Sequence, residues 1–171
     1  MASGLLLLRL VLGGIMAAHG AQKLFGWWGG PGLEGTARMC TNLAYRSPFL
    51  MACGLGLAEF TGGVAIMAGL LTPLAALGVT VVMLNAVYLI HWPKGFFVTN
   101  GGFEFNALIA AAAIGLAAIG PGRFSLDHAI GWDDELSGVW WGVGEAGGAL
   151  VVSSLTLTLG RRRPSVAESP A

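Results

Sequence analysis

The sequence predicts an all-α integral membrane protein, and this prediction rests on its composition, its long apolar runs and its helix-ending signals. Of the 171 residues, 55% are hydrophobic and only 11% are charged, whereas a soluble domain has about 25% charged residues. So little charge cannot cover a surface that faces water. The 28 glycines fit membrane helices, because small residues let neighbouring backbones approach closely.

Five apolar segments predict a bundle of four transmembrane helices followed by a fifth. A bilayer core needs about 20 mostly apolar residues per helix. The segments are 4–24, 49–71, 73–91, 105–120 and 137–159. The fourth segment is short, and the fifth contains Glu145, which we expect to pair with Arg9 because both lie in the outer halves of their segments.

The segment boundaries coincide with residues that start or stop helices. Ser47-Pro48 and Thr72-Pro73 each place a capping hydroxyl before a proline, which suits the first turn of a helix. Gly120-Pro121-Gly122 ends the fourth segment. We therefore divide the chain into a bundle at 1–126 with an interfacial loop at 25–48, an acidic external loop with the fifth helix at 127–160, and a basic, disordered tail at 161–171.

The positions of the basic residues predict the orientation. Lys23, Arg38 and Arg46 lie at the first loop, Lys94 lies in the third, and three arginines follow the fifth helix. With five spans, all of these fall on one side of the membrane, which the positive-inside rule makes cytoplasmic. The sequence thus predicts an external N-terminus and a cytoplasmic C-terminus. Because the other basic residues are scattered, we expect no nucleic-acid partner.

Four polar side chains mark a candidate site: His19, Glu59, His91 and Glu104. Each lies in or at the end of an apolar segment, where ionisable groups are costly and usually face a bundle interior or a cavity. The order of the spans brings His19, His91 and Glu104 to the inner side. Glu59 lies about ten residues into the second span, roughly 15 Å deep at 1.5 Å per residue, and so predicts the floor of a polar pocket.

Three further residues complete the predicted ligand-binding set. Gln22 and Lys23 follow His19 at i+3 and i+4 and share its helix face. Gly102 lets the backbone come close to a ligand just before the fourth span. No catalytic residue can be assigned from the sequence.

The polar set allows more than one interpretation. In the first, histidine donates to a carbonyl of a quinone headgroup, Lys23 stabilises developing negative charge, and a carboxylate relays protons. In the second, the histidines and glutamates ligate a metal; because no HxxxH or ExxH motif is present, we expect no metal site and no intrinsic cofactor. In the third, a Glu–Lys or Glu–His pair only locks helices together.

Three stretches closely resemble the DoxX family of small bacterial membrane proteins over about residues 8–126. They read RLVLGGIMAAHGAQKLFGWWGGPGLEGTA, GLGLAEFTGGVAIMAGLLTPLAAL and MLNAVYLIHWPKGFFVTNGGFEFNALIAAAA. The resemblance implies a four-helix membrane core in the bacterial cytoplasmic membrane and quinone- or thiol-linked redox work, usually as a subunit. Family motif positions correspond here to His19, Gln22, Lys23, Glu59, His91, Gly102 and Glu104.

We therefore expect an integral membrane subunit of a redox complex that binds quinone or a similar small ligand near the inner membrane face. Its partners are then the lipid bilayer and other protein subunits. The main alternative is a structural accessory subunit with no catalysis of its own. A weaker one is a proton or small-solute pathway through Glu59.

Overall fold

The computed structural model describes residues 2–162, and they form helices and loops without a named strand. This confirms the all-α prediction. Residues 163–171 of the predicted disordered tail lie outside the described part. The helices are α1 (Ala2–Phe25), α2 (Gly32–Asn42), α3 (Pro48–Ala68), α4 (Thr72–Ala86), α5 (Glu104–Ile119), α6 (Leu126–Ala129) and α7 (Val139–Thr158).

Within residues 2–162, three helical segments are long and apolar enough to cross a membrane: Ala2–Phe25, Pro48–Ala68 and Thr72–Lys94. Helix α5 is apolar but has only 16 residues. The membrane bundle is therefore confirmed, while crossings by α5 and α7 and the orientation of the chain stay predictions. Helix α3 ends earlier than expected because Gly69 adopts a left-handed conformation with φ 64°.

Helices α1 and α3 pack closely because glycines line their contact. A Cβ atom added to Gly20 would lie 2.6 Å from the Phe60 Cα, and one added to Gly13 would lie 2.8 Å from the Met67 backbone nitrogen. Neither position has room for a side chain. Small residues at such contacts let two membrane helices approach at backbone distance, and here they bring the C-terminal half of α1 against the C-terminal half of α3.

Two short turns of other helix types extend α4 at its C-terminal end. A π-helical turn at Val87–His91 and a 3-10 turn at Trp92–Lys94 extend it. The Trp92 and Phe103 rings stack with centroids 5.3 Å apart, so the intervening loop folds back on itself. This loop returns the chain to the start of α5.

Helix α7 packs against α4 and α5 and closes that side of the bundle. The Asn85 amide accepts a hydrogen bond from the Ser153 hydroxyl at 2.6 Å and donates to the Thr156 hydroxyl at 2.9 Å. Just after α7, Arg161 forms a β-bridge with Tyr45. The first residues of the predicted tail are therefore held against the α2–α3 connection.

The opposite end of the bundle is tied together by Asp127. Its buried carboxylate accepts hydrogen bonds from the Leu71 nitrogen at 2.8 Å and from the Thr72 nitrogen and hydroxyl at 3.1 and 2.9 Å. Asp127, rather than the Thr72 hydroxyl that we expected, thus satisfies the free N–H groups at the start of α4.

The predicted pairing of Arg9 with Glu145 is wrong. Arg9 is fully buried and donates a hydrogen bond to the Phe124 carbonyl oxygen, on the side of the bundle where Asp127 lies. Within residues 2–162, neither carboxylate oxygen of Glu145 has a hydrogen-bond partner. The Thr80 hydroxyl lies beside that carboxyl without reaching hydrogen-bonding geometry. The loop after α5 folds over Arg9, a long-range contact that helix positions alone could not indicate.

Candidate functional site

A cavity of about 350 Å³ lies among α1, α3, α4, α5 and the loop before α5. We call it the central cavity. Five of the seven predicted site residues line it: His19, Lys23, Glu59, His91 and Gly102. The rest of its wall is mainly apolar and includes Met16, Met39, Leu43, Leu55, Val82, Met83, Leu89, Ile90, Val98, Phe105 and Ile109.

Lys23 and Glu59 form an ion pair in the wall of the central cavity. The Glu59 side chain is only 3% exposed, whereas the Lys23 side chain is 21% exposed. The Thr36 hydroxyl lies 2.8 Å from the Gly32 carbonyl oxygen and 3.2 Å from the Lys23 carbonyl oxygen, so its single proton is shared between α2 and the end of α1. The mid-helix acid is therefore paired across the α1–α3 contact, with its partner lysine at the edge of the cavity.

His91 is placed by the π-helical turn and anchored by the loop before α5. Its Nδ1 lies 2.7 Å from the Gly101 carbonyl oxygen. Because a carbonyl oxygen only accepts hydrogen bonds, Nδ1 carries the proton. Nε2 is left to interact with a ligand, and π-helical turns within α-helices are frequent at functional sites.

His19 and Gly102 reach the cavity in different ways. His19 lies one turn before Lys23 on α1 and is exposed, so it belongs to the open part of the cavity. Gly102 is buried, and an added Cβ would lie 2.6 Å from the Phe96 carbonyl carbon. Its lack of a side chain is thus already required by the folding of the loop.

The structure places Gln22 and Glu104 outside the lining of the central cavity. A Cβ added to Gly30 would lie 2.6 Å from the Gln22 Cα, so Gln22 is packed under the loop that follows α1. Glu104 begins α5, where its backbone nitrogen donates to the Phe96 carbonyl oxygen at 2.9 Å. Gln22 was expected at the site because it shares a helix face with His19, and Glu104 because of its predicted depth. Neither property brings the residue to the cavity.

Three polar residues of the lining were missed as site residues: Tyr45, Asn85 and Asn106. Asn106 has its amide nitrogen 3.5 Å from the Met83 sulfur, and its position inside an apolar segment was a usable signal. Tyr45 is 3% exposed. Burial raises the pKa of its phenol and Cys40 adds to this increase, while Arg161 partly opposes it. No sequence pattern indicates that this loop residue lines the cavity.

Among residues 2–162, no group of three or more His, Cys, Asp or Glu side chains is arranged to hold a metal ion. The polar groups of the cavity are instead a cation, a carboxylate, two imidazoles and amides, set in an apolar wall. Such a wall can hold a flat, largely apolar molecule while a few polar groups fix its orientation.

Fold and cavity together define a small helical membrane protein with a ligand-sized cavity among its helices. The sequence model of the DoxX family matches residues 4–92, and the chain belongs to this family. It is also similar to the protein named "Putative oxidoreductase CatD" from Bacillus subtilis (strain 168), with 29% identity over 124 residues, which are 72% of this chain and 84% of that protein. No solved structure matches the chain.

Proposed function

We propose that this chain is a membrane subunit of a redox complex and that its central cavity binds a quinone or a similar small ring. The volume of about 350 Å³ falls in the range of about 300–1,000 Å³ that is usual for small-molecule sites. The apolar walls suit the ring of a quinone and the first part of its apolar tail. The name of the CatD relative supports redox work.

The Lys23–Glu59 ion pair is the observation that carries this proposal. A quinone supplies a reversible electron acceptor whose oxygens gain negative charge and protons on reduction, while a partner subunit supplies the electrons. Lys23 is partly exposed and can donate to a ring oxygen, which stabilises that charge. Glu59 can take up or release a proton behind it, and Nε2 of His91 offers a second polar contact.

Solvent extraction of the protein purified from its native membrane tests this proposal. We expect bound quinone in the wild type and lower quinone content in Glu59→Gln and Lys23→Met, with assembly of the complex unchanged. Glu34→Gln and Arg38→Met are matched controls, because both residues are exposed on α2 and lie outside the cavity lining. Wild-type protein without any extractable quinone would contradict the proposal.

The same ion pair favours a second candidate function, that of a structural accessory subunit. A buried pair between α1 and α3 can fix helix positions without taking part in chemistry, and removing one partner then destabilises the protein. For this candidate, the variants would lose complex assembly while the quinone content per folded protein stayed constant. Extraction and assembly measured on the same samples therefore separate the two functions.

A further inference from the structure

A second and larger recess of about 660 Å³ lies between α3, α4 and α7. We call it the lateral groove. Its wall is mostly apolar and includes Leu50, Leu74, Leu77, Val81, Val152 and Leu159. Four other residues of this wall also line the central cavity, namely Tyr45, Leu55, Val82 and Asn85. The α2–α3 connection, α3 and α4 therefore contribute side chains to both.

Two glycines help to create this space. Gly54 on α3 and Gly78 on α4 line the groove, and an added Cβ at either position would meet no heavy atom of residues 2–162 within 4 Å. They differ from Gly20, where the α1–α3 contact needs a missing side chain. Glycine inside a helix is destabilising relative to alanine, yet at these two positions no described neighbour requires it. The open space beside them is where an extended apolar chain can lie.

One end of the groove is positively charged. Arg46 belongs to its lining, and its Nε donates to the Arg161 carbonyl oxygen at 3.1 Å. The Nε of Arg161 in turn donates to the Leu43 carbonyl oxygen at 2.8 Å. The first bond holds Arg46 at the mouth of the groove, whereas the Arg161 side chain is directed to Leu43, which does not line the groove. None of the lining residues of the groove is acidic.

We propose that the lateral groove binds an anionic phospholipid. Its acyl chain lies along Gly54 and Gly78, and its phosphate pairs with Arg46. Arginine binds phosphate through strong, charge-assisted hydrogen bonds, and basic pockets between membrane helices bind anionic headgroups. A helix of a partner protein could use the apolar wall, but it would leave Arg46 at the mouth without an anion. The proposal does not depend on what the central cavity binds.

Native mass spectrometry of the full chain in neutral detergent tests the proposal, with added phosphatidylglycerol or phosphatidylcholine as the two probes. We expect wild-type protein to bind phosphatidylglycerol more tightly. Arg46→Gln should weaken that binding about fivefold, as expected for one arginine near a headgroup, while Arg38→Gln on α2 should not. Gly78→Leu should fill the groove and displace the lipid, whereas Gly115→Leu on α5, which also meets open space, should not.

Other results would overturn the proposal. Equal binding of the two lipids, or binding unaffected by Arg46→Gln, would show that the arginine does not recognise a headgroup. Lipid binding that survives both Gly78→Leu and Gly54→Leu would show that the lipid lies elsewhere. The second glycine variant also covers a failure of the first to fold. If both variants instead release a protein subunit from the complex and leave lipid binding unchanged, the groove is a helix-docking site.

Discussion

The Glu59 carboxylate on α3 pairs with the Lys23 ammonium on α1, and the pair forms part of the wall of the central cavity. The carboxylate is almost completely shielded, while the ammonium retains some exposure. This asymmetry leaves the lysine accessible to a ligand and the acid behind it. It also joins two helices that glycines already hold at close distance.

Glu59→Gln should lower the stability of the protein, because Lys23 then loses its counter-charge. Breaking a buried pair costs about 3–5 kcal/mol, and we expect the lower end because Lys23 is partly exposed. Thermal unfolding in detergent measures the effect. Glu34→Gln is the control, and the double variant Glu59→Gln/Lys23→Met should recover part of the loss, as a coupled pair requires. Additive losses from the two single variants would show that the residues do not interact.

Gly20→Val should destabilise the bundle, because an added Cβ would lie 2.6 Å from the Phe60 Cα. Overpacking of a tight contact costs about 1–3 kcal/mol. Gly115→Val introduces the same side chain into a helix at a position with open space, so it corrects for helix propensity. Equal changes in melting temperature for the two variants would contradict close packing of α1 on α3.

The contact between His128 and Asp133 should depend on pH. His128 Nδ1 lies 2.6 Å from an Asp133 carboxylate oxygen, and this hydrogen bond is the main reason that the pKa of Asp133 is lowered. A depressed carboxyl pKa contributes stability above the usual value of about 3.9 and loses it as the pH falls through the lowered pKa. In carbon-detected NMR titrations, His128→Gln should return the Asp133 pKa upward. An unchanged midpoint would contradict the pairing.

Cys40 should resist polar thiol reagents in the folded protein. It is fully buried, and burial raises the pKa of its thiol, with a smaller opposing effect from Lys23. The neighbouring Thr41 is exposed, so Thr41→Cys is a matched positive control for labelling at neutral pH. Peptide mass spectrometry distinguishes the sites from Cys53. Labelling of Cys40 as fast as that of the introduced cysteine would show that α2 does not bury this side chain against α3.

The apolar segments and their boundaries were predictable because hydrophobic length and glycine or proline signals act locally. A Glu–Lys or Glu–His pair between helices was one of the interpretations of the sequence, and in the structure Lys23 is the partner of Glu59. Chain parity is enough to decide which ends of helices meet, and two ionisable groups at a helix contact strongly favour pairing.

Rotation and loop folding were not predictable in the same way. Gln22 shares a helix face with His19 in the sequence, yet it packs under a loop that approaches at Gly30. Position in the sequence also gave no sign of the π-helical turn that places His91. Arg9 meets Phe124 through a loop whose path depends on contacts distant in sequence.

Isothermal titration calorimetry of the purified protein with a short-chain quinone tests the central claim most directly. We expect saturable binding at one site in the wild type. In Lys23→Met, the dissociation constant for the quinone should rise about tenfold or more, because a hydrogen bond to a charged group contributes about 1.5–3 kcal/mol. Arg38→Met should bind as the wild type does. If the wild type shows no saturable binding, or if Lys23→Met binds equally well while its melting temperature falls, the ion pair is structural and the cavity is not a quinone site.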